Sequence, residues 1–367
     1  MNQKSNRFVS LDLMKTIGML FVCCTHFSIS AASHFDSIAL TNQILISRFF
    51  INIEVCCVPI LFMANGALSL NHSLDMKKHM KKMLHFLLQF FLWCFITTLI
   101  IRAFNRPLPA LSIGEWISAI LFNKNSGIFT PHFWFMPCFL CISLLSPFIH
   151  SFFSKVTREN GAYIKLFLFI LFLLYFVKND ISQIAFAKSI MLDTNVLTIY
   201  SPFLDIVGGM LFYFVLGGYL WSKKEHLNNS ITTVISLGSI ILGLLLLLQE
   251  WYIVEFYTKT SINPANASYI SMGAICITVG IFLLIISIES IVENIKIIST
   301  YCSFIGKNTI GIYYIHYILA FLVNEVLLKG IYPSSCILNL TRSIVLITIS
   351  AFLYTLLKKI PLLRKIV

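Results

Sequence analysis

Charge is what this chain has least of. Only 11% of its 367 residues are Asp, Glu, Lys or Arg, against about 25% in soluble globular domains. That scarcity excludes a water-soluble globule. Low-complexity linkers, internal repeats and a separate soluble domain are also missing, so residues 1–367 read as a single unit. No small-x-small cleavage site cleanly closes the first apolar run, although SISAAS at Ser28–Ser33 comes near. A leader would have no use for Asp12 and Lys15 inside its apolar region, so the run reads as an uncleaved first span. The ten cysteines lack any framework: Cys23–Cys24 and Cys56–Cys57 are adjacent pairs and Cys138/Cys141 is a lone CxxC inside a span. In that setting cysteine is a small packing residue, and neither disulfides nor a metal are expected.

What is present is apolar length. Hydrophobic residues make up 58% of the chain, in recurring runs of about 20 residues, the length that crosses a bilayer. The runs lie near 9–30, 47–69, 84–103, 133–150, 163–178, 200–221, 231–250, 269–288, 303–323 and 343–358. The fold class is therefore an all-α polytopic membrane protein, a bundle of about ten transmembrane helices. Placing the N-terminus in the cytoplasm puts Lys4, Arg7, Lys77–Lys82, Lys155, Arg158, Lys223, Lys224, Lys296 and the Lys358–Lys365 tail on the inside. Outer loops keep only scattered cations, so both termini are placed in the cytoplasm. The same distribution explains the net charge of +12 without nucleic acid, since the basic residues alternate between spans rather than coat one domain. The longest segment between spans, 104–132, is outer. Within it, Leu111–Phe122 has the composition of a short interfacial helix.

The first span carries Asp12, Lys15 and His26, although an ionisable group at a helix centre costs about 2.5–3.5 kcal/mol to insert. Lys15 and His26 are eleven residues apart, about 20° beyond three full turns, so they share a face at a separation of roughly 16 Å along the axis. Asp12, one turn before Lys15, shares it too. Other polar residues fall at the same two levels. Toward the outside lie Glu54, His132, Trp134 and His316; toward the inside lie Asn65, Lys82, His85, Lys307 and Asn308. Each has a plainer role: Lys82 obeys the positive-inside pattern, Trp134 suits an aromatic belt, and Glu54 could pair with Arg48. Asp205 reads as a further buried acid without a role. The grouping into a basic inner mouth and an outer histidine–carboxylate cluster is harder to explain plainly. A basic mouth suits a phosphate-bearing compound from the cytoplasm. An outer imidazole suits activation of a hydroxyl or transient carriage of an acyl group.

These residues resemble the membrane-bound acyltransferase-3 family. RFVSLDLMKTIGMLFVCCTHF (Arg7–Phe27) is similar to its opening segment, a basic residue and Leu-Asp, then a basic residue ahead of a His. VPILFMANGALSL (Val58–Leu70), HFWFMPCFLCISLLSP (His132–Pro147), FYFVLGGYL (Phe212–Leu220) and GKNTIGIYYIH (Gly306–His316) resemble later family segments in the same order. The resemblance implies transfer of an acyl group, usually acetyl from acetyl-CoA, to a sugar hydroxyl on the outer face of the bacterial inner membrane, without the fused hydrolase-like domain of some relatives. Metal is not implied. It makes His26 the essential catalytic residue and puts Lys15, Lys82 and His85 on the donor side. The depth grouping of the residues adds Glu54 and His316 in support of His26, Asp12 on the donor side, and His132, Trp134 and Arg48 on the acceptor side. Lys15 stands where the family usually has arginine, and Lys82 with His85 where it usually has two arginines three apart. Lysine keeps a point charge but lacks the bidentate fork. The expected partners are acetyl-CoA, a glycan or lipid-linked glycan such as an O-antigen, and the lipid bilayer. Other readings are another acyl group such as succinyl, a non-glycan acceptor, or a proton-coupled transporter or flippase of a glycan or small anion. Missing repeats and paired broken helices weigh against the transporter.

Overall fold

A computed structural model describes residues 7–32, 50–104, 112, 114, 131–159, 161–181, 205–253, 269–327 and 336–361. All regular structure among them is helical. The helices are α1 (Val9–Ala32), α2 (Cys57–Asn71), α3 (Met76–Phe104), α4 (Phe135–Glu159), α5 (Ala162–Leu171) and α6 (Asp205–Ser222). They continue with α7 (Asn229–Ile253), α8 (Met272–Ser287), α9 (Glu289–Asn294), α10 (Lys296–Lys307), α11 (Thr309–Phe321) and α12 (Cys336–Leu357). A wider π-type turn, Phe172–Val177, extends α5, and another, Leu322–Leu327, extends α11. Among the described residues, seven helices are long and apolar enough to cross a membrane, and α8 and α11 are shorter apolar helices. The described parts of the expected apolar runs are helical, but the 303–323 run is divided between α10 and α11 at Asn308 and the 163–178 run between α5 and its π-type turn. Arg48 and most of Leu111–Phe122 lie outside the described residues.

The exterior is what lipid demands. Leu84, Leu88, Phe95 and Leu99 form one exposed stripe on α3, and Val234, Leu237, Ile241 and Leu245 another on α7. Without water to satisfy backbone groups, only such intrasegment helices are stable there. Between helices the hydrophobic drive is weak, so small residues decide where backbones meet. Gly66 of α2 faces the Phe214 carbonyl of α6, and Gly217 of α6 faces Met63 of α2; a Cβ at either would collide with backbone. Gly243 of α7 likewise meets Gly273 of α8. The Asn65-Gly66 and Gly217-Gly218 sequence segments are thus two sides of one helix crossing.

Local chemistry completes the scaffold. Asp75, just ahead of α3, accepts the Lys78 N–H at 3.1 Å. That bond and the Lys78 ammonium hold its exposed carboxyl below the usual range. Pro147 in α4 cannot donate to the Ser143 carbonyl one turn back. His79 Nε2 of α3, at 3.0 Å, and the Ser146 hydroxyl, at 2.8 Å, take the freed oxygen instead. Asp205 corrects its sequence reading. Rather than buried, its carboxylate is half exposed at the first turn of α6 and pairs with Lys178 at 3.0 Å.

Candidate active site

α1 runs through the packed interior and carries both ends of the site. It packs against α2, α10, α11 and α12, with Met14, Met19 and Cys23 fully buried between them. At its start, Arg7 grips Asp12 with two nitrogens, Nη2 at 2.7 Å from Oδ1. Asp12 is 3% exposed and its carboxylate lies against Gly306, where a side chain would have no room. Thr16 donates to the Asp12 carbonyl at 2.8 Å and reaches the Cys302 carbonyl at 3.5 Å, tying α1 to α10. Lys15 lies within electrostatic reach of Asp12, Arg7 and Lys82, and Asp12 within reach of Lys307.

This end of the bundle gathers the cations that topology had assigned to one side. Lys82 is exposed, with its ammonium 5.3 Å from the Phe86 ring, and His85 sits half buried one turn further along α3. Lys358 donates to Asn308 Oδ1 at 3.1 Å. Lys224 pairs with Glu289 at 3.6 Å and stands over the rings of Phe8 and Trp221. Ser10 donates to the same Glu289. The sequence placed Lys15, Lys82 and Asp12 here. It missed Arg7 as the group that occupies Asp12, although a basic residue just ahead of a helix and an acid in its first turn is a legible pairing.

Three turns on, the chemistry changes. The His26 ring is packed by His316 at 5.3 Å, His132 at 6.3 Å and Tyr317 at 5.3 Å between centroids. His132 and His316 are 5.4 Å apart. Tyr317 stacks on His132 at 4.4 Å and 18°. His132 comes from the 3₁₀ turn Pro131–Trp134, which the Tyr313 hydroxyl anchors by donating to the His132 carbonyl at 3.0 Å. His316 has no exposed surface and His132 only 4%. Both ring nitrogens of His132 and Nε2 of His316 are nonetheless buried without a hydrogen-bond partner. Such atoms cost about 1–3 kcal/mol each when left unmade. Three of them on two facing imidazoles make this cluster the candidate site. Among the described residues no group of His, Cys, Asp and Glu has the geometry of a metal site.

Glu54, 7% exposed, precedes α2 and lies within electrostatic reach of Cys24, Cys57 and Tyr269. Trp134 stacks on Tyr269 at 5.6 Å, and Cys57 Sγ meets the Tyr269 hydroxyl at 3.8 Å. These residues flank α1 near its His26 end, where Thr25 lies within reach of Cys57. Tyr317 and Tyr269 are the site residues that sequence reasoning missed. Tyr317 directly follows His316, and its aromatic run, Tyr313-Tyr314-Ile315-His316-Tyr317, was the available signal.

A family model described as an acyltransferase domain matches residues 8–358. No curated protein and no solved structure matches the chain.

Proposed function

The chain belongs to this acyltransferase family, and from that premise we propose that it moves an acetyl group from cytoplasmic acetyl-CoA to a hydroxyl of a surface or lipid-linked polysaccharide, such as an O-antigen, on the outer face of the bacterial inner membrane. One observation carries the reading: a single helix holds a cationic end around Lys15 and, roughly 16 Å away, His26 among buried imidazoles with unused nitrogens. A membrane enzyme whose donor and acceptor arrive from opposite sides needs both.

Lys15, with Lys82 within electrostatic reach and His85 one turn further along α3, draws the donor's phosphates. Asp12 serves indirectly by fixing Arg7 at the same mouth. His26 takes the proton of the acceptor hydroxyl as its oxygen attacks the thioester carbonyl, and returns that proton to the departing thiolate. This is general base followed by general acid catalysis. His132 and Trp134 form the acceptor side, where an aromatic face and polar groups suit a sugar ring, Glu54 lends negative charge, and Arg48, outside the described residues, is assigned to the same role from the sequence. The whole chain acts as one catalytic unit.

The test compares the O-acetyl content of the host's surface polysaccharide by NMR in cells carrying the intact gene, a deletion, and His26→Ala. Loss of acetyl signals in both altered strains is the expected result. Unchanged acetylation of a fully made polysaccharide would remove the glycan reading, and succinylation or a non-glycan acceptor would replace it.

A further inference from the structure

His316 is the only member of the imidazole cluster whose proton the structure places. Its Nδ1 lies 2.9 Å from the Ile312 carbonyl oxygen, and a carbonyl only accepts, so Nδ1 carries the hydrogen. A second proton on Nε2 would make a cation, without solvent, against two other imidazoles, which neither burial nor charge favours. Nε2 is therefore a lone pair, buried and without a partner. It sits in a ring 5.3 Å from His26 and tilted 37° to it. Two imidazoles joined by an N–H···N bond of about 3 Å have centroids a little over 5 Å apart, so a modest ring rotation makes the bond. His132 is the poorer partner: 6.3 Å away and nearly perpendicular, with neither nitrogen committed and its ring held flat by Tyr317.

We infer that His316 is the positioning residue that sets the tautomer of His26, accepting its N–H through Nε2 and so leaving the other His26 nitrogen unprotonated toward the acceptor hydroxyl. A neutral imidazole here does the orienting that a carboxylate does in hydrolase triads, and Glu54 is not required for it. The proton count closes. The hydroxyl proton passes to the lone-pair nitrogen of His26 as the C–O bond forms, and leaves on the thiolate as the C–S bond breaks. His316 neither gains nor loses a proton; it holds the second one on His26. The assignment of roles rests on the acyltransferase reading above, whereas the tautomer pairing stands on geometry alone.

The experiment uses the full chain in lipid nanodiscs with ¹⁵N-labelled histidine, His26 being assigned from the spectrum of His26→Ala. In the wild type, His26 occupies one tautomer and His316 is protonated at Nδ1. In His316→Leu the His26 tautomers mix, and kcat for acyl transfer falls about 100-fold with donor KM unchanged. His316→Gln, which restores an acceptor oxygen near the Nε2 position, recovers at least about tenfold of that loss. An unchanged His26 tautomer in the leucine variant, or equal losses in leucine and glutamine, would overturn the pairing. If the wild type shows the tautomer coupling but no acyl-CoA-dependent transfer, the pairing stands and the acyltransferase roles fail. If transfer is present and the coupling absent, the pairing alone fails.

Discussion

The two ends of α1 handle buried polarity in opposite ways. At the inner end several charged groups are paired: Asp12 with Arg7, Lys358 with Asn308, and Lys224 with Glu289 and two aromatic rings. At the outer end His132 and His316 are about as deeply buried as Asp12, yet three of their nitrogens go unbonded. A protein that needed only a stable bundle would do the reverse, since an unsatisfied group costs most where water is absent. The inner end is a preassembled electrostatic surface, in which charge can be redistributed among several cations. On the proposed function, those free nitrogens at the outer end are the ones a substrate would meet. Substitutions should therefore hurt chemistry at one end and affinity or stability at the other.

The largest effect is expected at His26. Its alanine variant should lose about 10²–10⁴-fold in turnover while still inserting and keeping donor affinity, as donor titration in nanodiscs would report. A loss confined to KM would dissolve the distinction between the ends. Next comes an asymmetry inside one ion pair. Arg7→Ala strands the buried Asp12 carboxylate and should destabilise the fold by about 1–3 kcal/mol. Asp12→Asn strands only Arg7, whose side chain is 36% exposed and can rehydrate, so its cost should be under about 1 kcal/mol. Thermal unfolding of the two variants measures the difference, and equal costs would contradict a paired inner end. Lys15 follows. Lys15→Ala should raise donor KM about tenfold and flatten its salt dependence, while Lys15→Arg should equal or better the wild type because its fork can bind a phosphate bidentately. Both should leave kcat within about twofold. Smallest is Lys224→Gln, which removes a partly exposed ion pair and a cation–π contact and should cost about 0.5–1 kcal/mol of stability and no activity.

Much of the bundle was legible because lipid imposes one rule on every span: about 20 apolar residues with internally bonded backbone. The shared face of Lys15 and His26 was legible too, from helical spacing within a single element. The grouping of His132 and His316 at the level of His26 was legible as well, but their ring-to-ring contacts were not. Those contacts depend on how α1, α4 and α11 pack, and sequence fixes only the depth of each residue, not its direction across the bundle. Glu54 shows the limit well. It lies at the depth expected, but beside Cys24, Cys57 and Tyr269, while imidazoles and Tyr317 surround the His26 ring. Asp205 failed for another reason. Apolar context suggested burial, yet a first-turn acid gains from the helix dipole and stays at the surface.

If one helix joins a donor end to an acceptor end across a membrane, transfer must run through it. Proteoliposomes of fixed orientation test this most directly, with labelled acetyl-CoA supplied only on the Lys15 side and a glycan acceptor only on the His26 side. Label should appear on the acceptor with the wild-type protein and not with His26→Ala. Transfer only when both substrates share one side, or equal transfer by the two proteins, would contradict it.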